Sequence, residues 1–220
     1  KSNPAWTKDD VSDLMTYLML GVVLGGRIGY VLFYGMGYWA RDWLYPLKIW
    51  EGGMSFHGGL LGVIFLLWLF GRKKGKAFWA VADYVAPMIP PGLFFGRIGN
   101  FINGELWGRP TDLPWGMVFP GTGDGIPRHP SQLYEAGLEG IVLFIAVWFY
   151  SAKPRRSGQV AGLFLVLYGI FRSLVEMVRQ PDGQVNFLIG EITMGQALSL
   201  PMIVFGLWLM LRRGPRASIS

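Results

Sequence analysis

Eight ionisable side chains interrupt the apolar runs of this sequence: Arg27, His57, Asp83, Arg97, Glu135, Glu139, Arg172 and Glu176. Guanidinium groups bind phosphate through paired N–H donors, and imidazole and carboxyl groups move protons near neutral pH. Spacing sorts several of them into sets. Tyr168, Arg172 and Glu176 follow at four-residue intervals, Arg97 and Asn100 are three apart, and Arg27 and Tyr30 repeat that interval. Each set therefore falls on one face of a helix. Such sets can hold an anion and move a proton. Plainer readings stand beside this one: Arg172 and Glu176 can pair with each other, and any single arginine can snorkel to a lipid headgroup.

Other chemistries are excluded or unsupported. The chain has no cysteine, so it has no disulfide, no thiolate metal site and no thiol nucleophile of its own. Two histidines and scattered carboxylates make no metal-ligand spacing, and no metal or cofactor is expected. There is no Gly-x-Ser-x-Gly elbow, and Ser131 has no triad around it. The nucleophile then has to come from a substrate. His57, in "GGMSFHGG" (52–59), is either a core imidazole or a proton acceptor, and its flanking glycines permit close backbone approach. His129, in "PRHPSQLYE" (127–135), is either a loop residue or part of a site.

The elements that must carry these groups are membrane spans. The 220 residues are 52% hydrophobic and only 15% charged, against about 25% charged in an average soluble domain. Mean hydropathy is +0.36, which indicates an all-α polytopic membrane protein. Six spans are expected, at about 11–34, 53–70, 78–99, 131–150, 159–178 and 191–211, within one integral membrane domain over 1–220. The alternation typical of barrel strands is absent. The net charge of +6 fits Lys and Arg gathered in cytoplasmic loops rather than a nucleic-acid partner.

"GRKKGK" (71–76), "KPRR" (153–156) and "RRGPR" (212–216) follow spans two, four and six, and the positive-inside rule puts all three in the cytoplasm. The outer segments are then 35–52, 100–130 and 179–190. The first carries "YWARDWLYPLKIW" (38–50), suited to an interfacial arm, and 100–130 forms a periplasmic loop region. In this frame the arginines, His57 and Glu135 fall in the outer half of the membrane, with Asp83 a structural or interfacial exception near the inner end of span three. A transporter needs polar groups at the midplane and a route to both faces. A site acting on headgroups of one leaflet needs them at a single depth, as here. A transporter or a non-catalytic binder of anionic lipid headgroups is the alternative class.

The segments "GGRIGYVLFY", "GGMSFHGGLLG", "GRIGNFINGELWGR", "RHPSQLYE" and "YGIFRSLVEMVRQPD" together resemble the bacterial prolipoprotein diacylglyceryl transferase family, in order and over nearly the whole chain. The resemblance implies transfer of the diacylglyceryl group of phosphatidylglycerol to the lipobox cysteine of a prolipoprotein signal peptide. A thioether forms and glycerol 1-phosphate is released, at the outer leaflet of the bacterial inner membrane. It implies site roles for Arg97 with Asn100, Glu105 and Gly108; for His57; for Tyr168, Arg172 and Glu176; for Glu135 and His129; and for Arg27 and Tyr30. Arg97 and Arg172 are the expected phosphate ligands. His57 is the first expected base, with Glu105 or Glu135 as fallback. The family also has a first span with a His-x-Tyr-Gly motif that nothing here matches. "KSNPAWTKDD" has no initiator Met and reads as an interior loop, so a preceding segment and seven spans in complete members are expected.

Overall fold

The computed structural model describes residues 6–180 and 193–212. Of the expected outer segment 179–190, residues 181–190 lie outside the described residues, as do most of the basic segment 212–216 and the start of the last expected span. Among the described residues the regular structure is helical, with only isolated β-bridges in the loops. Five helices among the described residues are long and apolar enough to cross a membrane: α1 (Lys8–Phe33), α2 (Phe56–Lys74), α5 (Ser131–Ser151), α6 (Gln159–Glu176) and α7 (Met194–Leu211). Between α2 and α5 lie two shorter helices, α3 (Phe78–Val85) and α4 (Ile89–Ile102), joined by a 3-10 turn, Ala86–Met88. The expected uniform span 78–99 is thus in pieces. Pro87, Pro90 and Pro91 supply the physical reason, because proline has no N–H for the helical ladder and is tolerated only in a helix's first turn.

The described residues up to Val81 and those from Ala82 onward form two compact units. In the first, α1 opens with a capping box between Thr7 and Asp10. Lys74, at the far end of α2, pairs with Asp10 at 3.0 Å and Asp13 at 2.7 Å. Along their length α1 and α2 meet through glycines at four-residue spacing. A Cβ added at Gly29 would lie 2.7 Å from Gly58 Cα, and one at Gly25 would lie 2.8 Å from Gly62 Cα. Backbones this close gain dispersion contact that does not depend on excluding water, the kind of packing available inside lipid.

In the second unit, α6 and α7 pack in the same way, with the Cβ position of Gly162 only 2.7 Å from the Gly206 carbonyl. The start of α6 has Gly158 as N-cap, which offers no side chain. Asp83 from α3 takes over, its Oδ2 accepting from Gly158 N at 2.6 Å and its Oδ1 from Ala161 N at 2.8 Å. Its role is structural. A core of Ala86, Leu143, Val147 and Val160, flanked by Tyr168 and Phe171, holds α5 against α6. Outward faces of the spans carry large apolar side chains such as Phe65, Phe149 and Trp208. These suit contact with lipid tails, and the chain is a polytopic membrane protein.

Candidate active site

Five polar side chains converge within the second unit. Arg97, on the last two turns of α4, has its Nε against Oε2 of Glu135 on the first turn of α5. Arg172, on α6, brings Nη1 to the same oxygen at 3.4 Å. Arg97 Nη1 also donates to Asn100 Oδ1, one turn along its own helix, at 3.4 Å. Arg172 Nη2 lies 2.9 Å from Glu176 Oε2, close in distance but not aligned as a hydrogen bond. The helical spacings therefore act within each helix, and Glu135 ties the two arginines together.

Helix shape explains the convergence. A Cβ added at Gly140 would lie 2.7 Å from Phe94 Cβ, so α5 and α4 approach one turn away from the Arg97–Glu135 pair. Residues Ala136–Val142 of α5 form a π-helical segment, a rare geometry that is frequent at functional sites. It contains Glu139, which is fully buried and whose two carboxyl oxygens have no hydrogen-bond partner among the described residues. Glu135, Arg172, Arg97, Arg179 and Tyr168 are among its electrostatic neighbours. Tyr168 is half-buried and stacks on Phe164 at 5.8 Å.

The loop after α4 is fastened to the start of α5. Ser131 Oγ donates to the Leu106 carbonyl at 2.9 Å, and Gln132 Nε2 donates to the Glu105 carbonyl at 2.5 Å. Leu106 has φ 57, in the left-handed region that costs a side-chain-bearing residue about 1–2 kcal/mol. Gly108 must be glycine, since a Cβ there would lie 2.6 Å from the Val178 carbonyl and 2.7 Å from His129. Further out, the Arg128 guanidinium beside Asp124 holds that carboxyl down at about 2.

Other residues expected at the site take different places. Glu105 is exposed, its carboxylate accepting from Asn103 Nδ2 at 3.1 Å, and among the described residues it joins neither arginine. His129 Nδ1 lies 3.3 Å from Tyr134 OH, which accepts from Trp115 Nε1 at 2.7 Å, a contact that braces the loop. In the first unit, His57 is exposed in the first turn of α2, edge-on to Phe56.

Arg27 differs from the expected anion ligand. Its guanidinium donates to the carbonyls of Pro46 (3.1 Å), Gly52 (2.5 Å), Gly53 (3.3 Å), Tyr45 (2.5 Å) and Lys48 (2.9 Å). A guanidinium has five N–H groups, so all are committed and none is left for a headgroup. The side chain is a tether for the arm at 35–52, and the Tyr45 ring covers it at 4.7 Å, with Tyr30 at 6.0 Å. The shared Gly-Arg-Ile-Gly of 26–29 and 96–99 thus has two uses. Gly29 is pressed on α2, whereas a Cβ at Gly96 or Gly99 meets nothing within 4 Å.

The sequence marks Glu139 as an ionisable group within a span but assigns it no role, weighs Ser131 only as a nucleophile, and does not single out Gln132. Gln132, Glu135 and Glu139 at spacings of three and four were the available signal, a polar face on an otherwise apolar span.

Comparison with known proteins adds an independent line. The sequence model of the family described as prolipoprotein diacylglyceryl transferase matches residues 1–212. A phosphatidylglycerol–prolipoprotein diacylglyceryl transferase of Solidesulfovibrio magneticus is 61% identical over 217 residues, covering 98% of this chain and 82% of the relative. One from Nitratidesulfovibrio vulgaris is 59% identical, covering 97% and 81%. One from Bordetella avium is 59% identical, covering 96% and 80%.

Proposed function

Because the chain belongs to the prolipoprotein diacylglyceryl transferase family, we propose that Arg97 and Arg172 hold the headgroup phosphate while phosphatidylglycerol gives its diacylglyceryl group to a prolipoprotein cysteine. The chain is a transferase with those two substrates, as the relatives' names state for them. The thiol is that of a lipobox cysteine in a signal peptide. Its sulfur attacks the glycerol carbon that bears the phosphate ester, a carbon–sulfur bond forms, and the carbon–oxygen bond breaks. Glycerol 1-phosphate departs with the electron pair, and the thiol proton passes to a base.

One observation carries the reading: two guanidiniums from different helices close on one carboxylate oxygen. Arg97 turns Nε to Glu135 and gives one N–H of Nη1 to Asn100, and its other three N–H groups, without a partner among the described residues, suit phosphate oxygens. Charge that develops on the leaving phosphate is then met by groups already in position. Glu135 is their counter-ion between turnovers. Asn100 and Tyr168 lie beside the arginines and suit contacts to headgroup oxygens. His57 is the proposed proton acceptor on chemical grounds, since a neutral imidazole accepts a proton near pH 7. Placement in the bacterial inner membrane, with the site toward the periplasmic leaflet, is supported by the basic loops at 71–76 and 153–156.

The test supplies membranes with phosphatidylglycerol and a lipobox peptide and seeks the diacylglyceryl adduct by mass spectrometry. Arg97→Ala is expected to abolish the adduct, and undiminished transfer would remove the phosphate clamp. For the base, His57→Gln is expected to lose the limb of the pH–rate profile set by the imidazole. An unchanged rate and profile would remove His57 from that role.

A further inference from the structure

Glu176 is buried, and its carboxylate rests on the first turn of α7. A Cβ added at Gly195 would lie 2.7 Å from Glu176 Cδ, 2.7 Å from Oε2 and 3.0 Å from Oε1. No side chain fits there while the carboxylate keeps its place. The turn is stiff within itself, and α7 is pressed on α6 one turn further along, where a Cβ added at Gly169 would lie 3.1 Å from the Ser199 carbonyl. Thr193 caps α7 through a capping box with Gln196, and Ser199 Oγ donates to the Gly195 carbonyl at 2.7 Å. Thr193 and Ser199 are both buried. The positive end of a helix dipole also favours a carboxylate at this position. The same carboxylate faces Arg172 Nη2 at 2.9 Å.

We infer that Gly195 is a positioning residue for Arg172, acting through Glu176: the bare turn of α7 seats the carboxylate that aims the guanidinium. This rests on the reading of Arg172 as a phosphate ligand. Gly195 differs in this from Gly162 and Gly206, whose Cβ positions meet backbone carbonyls and packing side chains of the opposite helix. Those two glycines set the distance between helices. Gly195 sets the place of a charged side chain.

The experiment is a double-mutant cycle in the full chain, with phosphatidylglycerol vesicles and a lipobox peptide. Gly195→Ala is expected to lower kcat/KM about tenfold, as displacement of a substrate-holding group by a fraction of an ångström does. Alanine is the better helix former, so this loss does not come from a weakened helix. Glu176→Asp draws the carboxylate back by one methylene and removes the collision. The double variant is therefore expected within about threefold of Glu176→Asp alone, the non-additivity of residues acting through one contact. Gly206→Ala, at the other end of α7, is expected to lose activity without rescue by Glu176→Asp.

Gly195→Ala at the wild-type rate, or a loss that Glu176→Asp leaves in place, would overturn the inference while Arg172→Ala still abolishes transfer. If Arg172→Ala retains transfer, the phosphate reading fails instead. The cycle is then closed in unfolding temperature, where coupling between positions 195 and 176 supports the contact and strict additivity removes it.

Discussion

Arg97 and Arg172 reach one oxygen, Oε2 of Glu135, from two different helices. Neither guanidinium has Glu135 as a neighbour along its own helix, so the pairing exists only once α4, α5 and α6 are packed. Two like charges held this close depend on the shared carboxylate. The Glu135 side chain is almost wholly buried, and the guanidiniums are not far behind.

Removing that carboxylate leaves two partly buried cations facing each other. Glu135→Ala is expected to destabilise the fold by about 3–5 kcal/mol, the range for breaking a buried ion pair from one side. Transfer is expected to fall at least about a hundredfold, as happens when a positioned charge cluster is lost. Glu135→Gln keeps the shape and should retain more stability than activity. Thermal unfolding in detergent alongside the peptide assay separates the two.

Arg27 makes the opposite case. Its five donors are spent on carbonyls of the arm, so Arg27→Lys, with three donors and no planar fork, cannot replace it. Each orphaned carbonyl costs about 1–3 kcal/mol where it stays buried. Faster hydrogen exchange over residues 45–53 is the expected outcome, with a smaller loss of transfer than Arg97→Ala. Equal losses for the two would restore Arg27 to the phosphate site.

How far the sequence could show this depends on the range of each interaction. Long apolar runs specify helices in lipid, so the polytopic all-helical class was legible at 11–34 or 131–150. The pairing of Arg172 with Glu176 was also legible, because it lies within one helix. Arg27 and Arg97 share Gly-Arg-Ile-Gly and differ only in their partners: carbonyls of the arm for one, a carboxylate on another helix for the other. No local pattern distinguishes the two. The break in span three was written in Pro87, Pro90 and Pro91, whereas the contact of Glu176 with Gly195 depends on packing between α6 and α7.

The loop after α4 should answer to Gln132. Its Nε2 holds the Glu105 carbonyl at 2.5 Å. Gln132→Leu is expected to cost about 1–3 kcal/mol, the penalty for a carbonyl left without its donor. Exchange at residues 103–109 should quicken first, and KM for phosphatidylglycerol should rise before the helices melt.

Asp124 supplies a pH signature in the head region. Arg128 is the largest cause of its lowered value, with the Ile126 amide and the Thr122 hydroxyl adding to it, and the folded carboxyl sits at about 2 against 3.8 unperturbed. A depressed carboxylate stabilises above its unfolded value, and that contribution is lost as pH falls through the folded value. The turn at 122–128 is therefore expected to hold above about pH 4 and to loosen between about 4 and 2. Carboxyl NMR of Asp124 checks this, and Arg128→Ala should move the midpoint back toward 3.8.

Glu139 offers the sharpest contrast between stability and activity. It is fully buried in the π-helical segment, and neither oxygen has a partner among the described residues. A buried polar group without a hydrogen bond destabilises a fold by about 1–3 kcal/mol on mutational scales. Replacing it with an apolar side chain of similar volume should recover much of that, so Glu139→Met is expected to raise the unfolding temperature. The same change removes a carboxyl whose field reaches Arg97, Arg172 and Tyr168. Transfer is expected to fall about tenfold or more, the trade-off seen where a site holds groups its fold does not need. Glu139→Gln, which keeps shape and polarity, separates charge from volume: an activity close to that of Glu139→Met assigns the loss to the carboxyl. A variant that is both more stable and fully active would show that Glu139 serves neither the fold nor the reaction.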